Sequence, residues 1–533
     1  MIPPRRAAAT VRGSGAGRQP GRHADVLIVG AGAAGLAAAQ ALAAAGLTAC
    51  VLEARGRIGG RIETRRPPGV AIPVELGAEF VHGTPPEIME IATAAGLRLQ
   101  ERDGSAWQFR DGRLEPAPTS TRDEISAALA RLPLTGPDRS FQAFLESILR
   151  AQPDDPARQA LRAEAVAYAE QYHAAPPARL STQAAALAEQ ADLAVHGEHQ
   201  FQILDGYDAV VRWLRHTHRP LPSPPRGPSS TATVARALTA VPAAPAAPAG
   251  LGAIDVRLNT MVTHVRWQPG RVLVEARQIE PPAPEGRGGQ GQPWARVRFT
   301  APRAIVTLPL GVLRAPPGAE GAVAFVPSLP EKEAAARDLE MGTVIRIVLC
   351  CRTAFWETAG LSGGQAPRRL RRLRAPGEAI PSWWTAYPRP AAVITGWMGG
   401  PRAERLAQLG PQGILTTALE TLGRVFGLGT AGVRAQLHSW HYHDWLADPF
   451  ARGAYSYVVT GGLPAQRSLA RPLARTLYFA GEATDVHGHF ATVHGAIASG
   501  RRAAGEVMRD AAQAPPTGVP PGESAASAAT SGA

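Results

Sequence analysis

Residues 24–65, ADVLIVGAGAAGLAAAQALAAAGLTACVLEARGRIGGRIETR, constrain the fold more than any other stretch of the chain. Val26 to Val29 is a short apolar run, and Gly30, Gly32 and Gly35 follow it at once in the G-x-G-x-x-G spacing. A strand that feeds a glycine turn and then a helix is built to hold a dinucleotide. Gly30 permits the tight turn, Gly32 lets a pyrophosphate approach the backbone, and Gly35 lets the helix pack on its strand. The phosphate charge then rests on the helix N-terminus. Residues 36–45 are almost all Ala and Leu, Gly46 stops that helix, and residues 48–52 read as a second strand. Glu53 ends this strand, placed to accept hydrogen bonds from a pair of ribose hydroxyls. Gly13, Gly15 and Gly17 form a similar string with no strand before them and carry no such expectation. Residues 26–52 are apolar enough to be confused with a membrane span, but the glycine turn and the Gly46 break argue against one.

Composition removes other classes. With 533 residues and 45% hydrophobic content, the chain is long enough for one large core or two to three domains. The net charge of +12 comes almost wholly from arginine, because Lys332 is the only lysine. The arginines are scattered instead of forming a stripe with aromatics between them, so no nucleic-acid partner is expected. A P-loop or a pyridoxal site needs a lysine of its own, and Lys332 sits in a charged, helix-like stretch, PEKEAAARDLE. Cys50, Cys350 and Cys351 give no disulfide framework, and Arg5 and Arg6 are not followed by an apolar leader, so a cytoplasmic protein with no membrane anchor is expected.

Along the chain, residues 1–23 and 511–533 read as disordered tails. Residues 119–190 have helical spacing, 221–250 form a Pro/Ala/Ser-rich linker, and strands follow at 254–258, 262–267, 271–277 and 295–300, with a hairpin tip at 281–293. Residues 304–308 and 342–351 read as buried strands, 361–379 as an Arg-rich loop, 411–427 as a helix and 435–445 as a strand. Residues 477–510 form a second glycine-punctuated strand-to-helix unit. His438, His441 and His443 lack a completing carboxylate or cysteine, so no metal site is expected.

The motifs VGAGAAGLAAA, LEARGRIGGR, ELGAEF, RAIVTLPLGVL, DPFARGAYSY, LYFAGEAT and ATVHGAIASGRRAA together resemble, in order, the flavin-dependent amine oxidase family of monoamine and polyamine oxidases and lysine-specific histone demethylases. The resemblance spans residues 24–510. It implies an α/β fold in which a Rossmann-like FAD-binding domain of the glutathione-reductase type is interleaved with an α+β substrate domain. The FAD domain is expected over 24–98, 251–322 and 452–510, and the substrate domain over 99–250 and 323–451. It further implies that Gly30, Gly32, Ala34 and Gly35 hold the pyrophosphate and Glu53 the ribose. Arg55, Gly60 and Arg61 meet the phosphates or nearby backbone, Gly77, Ala78 and Glu79 the flavin side, and Val262 the adenine. Glu482 either sits near the ribityl chain or caps the final helix, and Thr492 and Val493 open that helix towards the flavin.

At the reacting end the resemblance assigns Tyr455 as a flanking aromatic and Thr492 in place of the opposite aromatic of monoamine oxidases. Arg346 stands where the family has a lysine that holds a water; it keeps that role, binds a substrate carboxylate or packs. His82 stands where polyamine oxidases bear a glutamate. Trp383 and Trp384 are candidates for the cavity wall. Ala454 stands where monoamine oxidases carry the cysteine that binds flavin covalently, so the FAD is expected to be non-covalent. The implied reaction is oxidation of the C–N bond of a primary or secondary amine or an amino acid to an imine, with O2 as acceptor giving H2O2, or with another acceptor in its place. A desaturase-like or protoporphyrinogen-oxidase-like flavoenzyme and a non-catalytic flavin protein are the alternatives. No second dinucleotide fingerprint is present, which argues against NAD(P)H as reductant.

Overall fold

The computed structural model describes residues 24–117, 122–149, 155–216, 250–279, 294–358 and 366–513. The N-terminal tail, most of the C-terminal tail, the hairpin tip at 281–293 and all but Gly250 of the 221–250 linker lie outside them.

The strand Val26–Val29 lies at the centre of a five-stranded parallel sheet. Ala49–Leu52 and then Ile254–Arg257 lie on one side of it, and Arg303–Val306 and then Leu477–Phe479 on the other. All four residues of Val26–Val29 are buried because both faces of the sheet are covered. Val26 and Ile28 enter a core shared with the helices Ala33–Ala44 and Val493–Ala512, while Leu27 and Val29 enter a core shared with the sheet of Thr260–Gln268, Arg271–Ile279 and Trp294–Ala301. The period of two thus divides one apolar run between two layers.

A seven-stranded sheet forms the second large layer. Its order is Leu437–Tyr442, Val344–Cys351, Val393–Gly399, Ser382–Thr385, Leu370–Arg374, Ser105–Arg110 and Arg113–Pro116. The helix Gly410–Val425 packs its Ile414, Leu415, Ala418 and Leu422 into the core beneath it. A small sheet of Phe80–His82, Gln200–Ile203 and Leu99–Glu101 is also present, and the helix Pro156–Tyr172 ends at residues that line the cavity described below.

Four expectations are corrected. The strand expected over 342–351 is two strands, Leu339–Gly342 and Val344–Cys351, and the first pairs with Tyr455–Val458. The Arg-rich loop contains the strand Leu370–Arg374, whose Leu370 and Leu373 are buried while its arginines are not. The strand expected over 435–445 spans only Leu437–Tyr442, because the helix Gly429–Gln436 precedes it. The final helix runs to Ala512, so residues 511 and 512, expected in a tail, are helical.

Candidate functional site

The glycine turn builds one end of the site. Gly30 has φ +108°, a backbone conformation that side-chain-bearing residues rarely adopt. A Cβ on Gly35 would lie 2.0 Å from the Gly30 carbonyl oxygen, so the helix Ala33–Ala44 approaches its strand as closely as a glycine allows. Gly35 therefore acts beneath the turn, packing helix on strand, and does not itself line the cavity. Gly32 is the opposite case. A Cβ there would meet nothing within 4 Å, and the residue faces a cavity of about 900 Å³.

Glu53 accepts from the Ala31 N–H (2.8 Å) and the Arg55 N–H (2.9 Å), one on each carboxylate oxygen. Burial pushes its carboxyl above the usual range, and the two backbone donors oppose that shift. Each oxygen retains a lone pair for a further donor. The open space at Gly32, the helix N-terminus behind it and the acceptor at Glu53 fit the phosphate and ribose of a dinucleotide.

The same cavity is lined by Gly30, Ala34, Arg55, Gly60, Arg61, Gly77, Ala78, Glu79, His82, Val262, Arg346, Tyr455, Glu482, Thr492 and Val493. These side chains are not loose. The Arg55 guanidinium donates to Asp448 (2.7 Å) and lies over the Phe450 ring, and Arg61 donates to the Ala454 carbonyl (2.9 Å) and to Glu482 (2.8 Å). Glu482 also accepts from the Ser456 hydroxyl (2.6 Å) and the Ala491 N–H (3.0 Å). It does not cap the final helix. Thr492 does, accepting from the Gly495 N–H (3.0 Å), and so aims the positive end of that helix into the cavity.

The far end of the cavity is aromatic and charged. The Glu79 carboxylate accepts from Arg346, from Trp384 Nε1 (2.9 Å) and from Gln202 Nε2 (2.7 Å), and Arg346 also donates to the Gly77 carbonyl (3.2 Å). The Trp384 and Trp397 rings lie 5.9 Å apart. Trp383 is corrected: it is fully buried in the core of the seven-stranded sheet and donates to the Ile380 carbonyl (2.9 Å), while its neighbour Trp384 faces the cavity. The Tyr455 hydroxyl donates to the Tyr172 carbonyl (3.0 Å), and burial raises its phenol pKa, which keeps it protonated.

Several cavity residues escape a reading of the sequence. Tyr168 and Tyr172 stack at 5.5 Å on one face of their helix, and Tyr172 meets His82 edge to face. Their i, i+4 spacing is the only signal that points to a shared face. His489 and His494 lie 3.1 Å apart, and burial, with His489 and His82 nearby, pulls the His494 pKa down to about 3. Arg102, Gln200 and Trp397 carry no local signature. Of the three histidines weighed for a metal, His443 is held by Asp448 (2.8 Å) just past the end of its strand, and among the described residues no cluster suited to a metal ion occurs.

Residues 33–508 match the family described as flavin containing amine oxidoreductase. The chain belongs to this family. Among its relatives, this amine oxidoreductase is 25% identical over 511 residues to polyamine oxidase 4 of Oryza sativa subsp. japonica, covering 92% of this chain and 90% of that protein. It is 27% identical over 502 residues to lysine-specific histone demethylase 1 homolog 2 of the same plant, covering 91% of this chain and 57% of that one. In fold it resembles putrescine oxidase bound to putrescine, with TM-score 0.66, 22% identity and coverage of 91% and 99%. Cyclohexylamine oxidase from Brevibacterium oxydans IH-35A is similar at TM-score 0.65, 19% identity and coverage of 92% and 100%. No helix among the described residues is long and apolar enough to cross a membrane.

Proposed function

We propose that this amine oxidoreductase binds FAD non-covalently and oxidises the C–N bond of a primary or secondary amine or an amino acid to an imine, with O2 as acceptor and H2O2 as product. The observation that carries the reading is a single cavity that runs from Gly32 and Glu53 to Tyr455, Trp384 and Arg346. Bound flavin supplies acceptance of a hydride equivalent from the carbon beside the amine nitrogen. The chain supplies the rest. Tyr455, Trp384 and Trp397 exclude water and orient a neutral amine, and the N-terminus at Thr492 and Val493 favours negative charge at its end of the cavity.

Cys50, Cys350 and Cys351 do not line the cavity, and Ala454, which does, offers no nucleophile; this supports a dissociable cofactor. The finer reading of the fold is a glutathione-reductase-type Rossmann domain interleaved with a substrate domain, supported by the central parallel sheet and the separate seven-stranded sheet. The reading also takes the working compartment as cytoplasmic, where three unpaired thiols remain reduced.

Aerobic incubation with a panel of amines and amino acids, assayed for carbonyl product and peroxide, tests this reading. Carbonyl and peroxide in equal amounts are expected. Carbonyl formed only when a dye acceptor is added would overturn O2 as acceptor, and no carbonyl under either condition would overturn the activity. Acid precipitation should release all flavin into the supernatant; flavin retained on the polypeptide would overturn the non-covalent assignment.

A further inference from the structure

Arg102 follows the strand Leu99–Glu101 and is 8% exposed on the cavity wall, with its guanidinium 4.5 Å from the centre of the Phe80 ring. A buried cation ordinarily has a carboxylate partner. No carboxylate lies within ion-pair distance of Arg102 among the described residues. Its hydrogen bonds there, to Gln200 Oε1 (3.5 Å) and to the Arg371 carbonyl (3.2 Å), are with neutral acceptors, and its buried Nε has no acceptor among the same residues. A guanidinium has five N–H donors, so most of its capacity is unused.

The surrounding charge does not compensate. Glu79 is the acid that acts on Arg102, and it is already engaged by Arg346, Trp384 and Gln202. Arg346 and Arg371 add two further positive charges nearby. Burial pulls the Arg102 pKa down to about 10, which leaves it charged at neutral pH. The wall around Arg102, with this local excess of positive charge, favours a ligand that brings its own anion there.

We propose that Arg102, stacked on Phe80 and lacking a carboxylate partner, binds a carboxylate of the substrate, so that the amine oxidised is one that also carries a carboxylate. The proposal rests on the amine-oxidation reading and narrows it. Arg346 is not the carboxylate anchor, because Glu79 already neutralises it. A planar fork suits a carboxylate bidentately, which a lysine would not reproduce.

The test uses the flavin-loaded protein, its Arg102→Met and Arg102→Lys variants, and matched probes. L-phenylalanine is compared with phenethylamine and L-leucine with isopentylamine, in each case the amino acid with the amine that lacks its carboxylate. The wild type should favour the amino acid of each pair. Arg102→Met should lose about 50-fold in kcat/KM on the amino acids, mainly through KM, and change the amines less than about 3-fold, with partial recovery in Arg102→Lys. Equal losses on both members of a pair, or a wild type that favours the amines, would overturn the proposal.

Calorimetric titration with benzoate and its neutral counterpart benzamide decides the matter without turnover. Tighter binding of benzoate by the wild type, weakened in Arg102→Lys, supports the assignment; equal binding of the two overturns it. These titrations of the wild type and Arg102→Lys remain decisive if Arg102→Met does not fold. Absence of flavin reduction by any amine would refute the amine-oxidation reading, while the benzoate and benzamide affinities of the wild type and Arg102→Lys would still decide whether Arg102 binds a carboxylate.

Discussion

Glu79 and Arg346 form an ion pair on the cavity wall, with the carboxylate side chain 11% and the guanidinium side chain 5% exposed. The two residues are 267 apart in sequence and join the small sheet that begins at Phe80 to the strand Val344–Cys351 of the seven-stranded sheet. Removing one partner strands the other in a place with little water. Arg346→Met should therefore destabilise the protein by about 3 kcal/mol, and the double variant Arg346→Met/Glu79→Gln should recover part of that loss. Urea unfolding of the three proteins measures this. A double variant no more stable than the single one would show that the pair is not coupled.

Gly32 and Gly35 belong to one motif and should fail differently. Gly32→Ala places its Cβ in open cavity and should leave the stability of the flavin-free protein within about 0.5 kcal/mol while lowering bound flavin. Gly35→Ala drives its Cβ into the Gly30 carbonyl and should destabilise the fold by about 2–3 kcal/mol. Flavin content and thermal unfolding, measured on both variants, separate the two roles.

How far the sequence could be read follows from the range of each interaction. The turn at Gly30 is complete within a few residues, so its spacing alone exposes it, whereas the cap at Thr492 is seen only in the fold, the sequence offering Glu482 as the capping alternative. The Glu79–Arg346 pair and the covering helix with Tyr172 depend on distant segments that meet only in the fold. Trp383 and Trp384 show the limit in one step. Alternation says that they face opposite ways, yet only the packing of the sheet decides which of them meets the cavity. Leu370–Arg374 reads as a loop because its arginines outnumber its two buried leucines, although pairing with Ser382–Thr385 and Ser105–Arg110 makes it a strand.

His494 carries a pH dependence. Its folded pKa, near 3, lies below the ordinary value of 6.5, so its neutral form is the one the fold favours. The stability it contributes is fully present above pH 6.5 and is lost as pH falls towards 3, by on the order of 2–4 kcal/mol. Stability measured between pH 7 and pH 4 should fall less steeply in His494→Asn than in the wild type. Parallel profiles would contradict this.

Lys332, the only lysine, is 5% exposed, and its ammonium donates to the carbonyls of Ser468, Leu469 and Arg471 at the end of the helix Leu463–Ala470. Burial pulls its pKa down to about 8, which leaves it protonated at neutral pH. Three converging acceptors suit a compact ammonium better than a planar fork. Lys332→Arg should cost about 2 kcal/mol despite the preserved charge, and an amine-reactive reagent should spare Lys332 in the native chain and label it after unfolding. Rapid labelling of Lys332 in the folded protein would refute the clasp.

The proposed function stands or falls on whether the cavity between Glu53 and Arg346 holds a flavin that amines reduce. Anaerobic titration of the purified protein with amines and amino acids, followed through the visible band of oxidised flavin, answers that without any assumption about the acceptor. Bleaching by a carboxylate-bearing amine, reversed when air is admitted, is the expected result. Bound flavin that no amine or amino acid bleaches would contradict the proposed function.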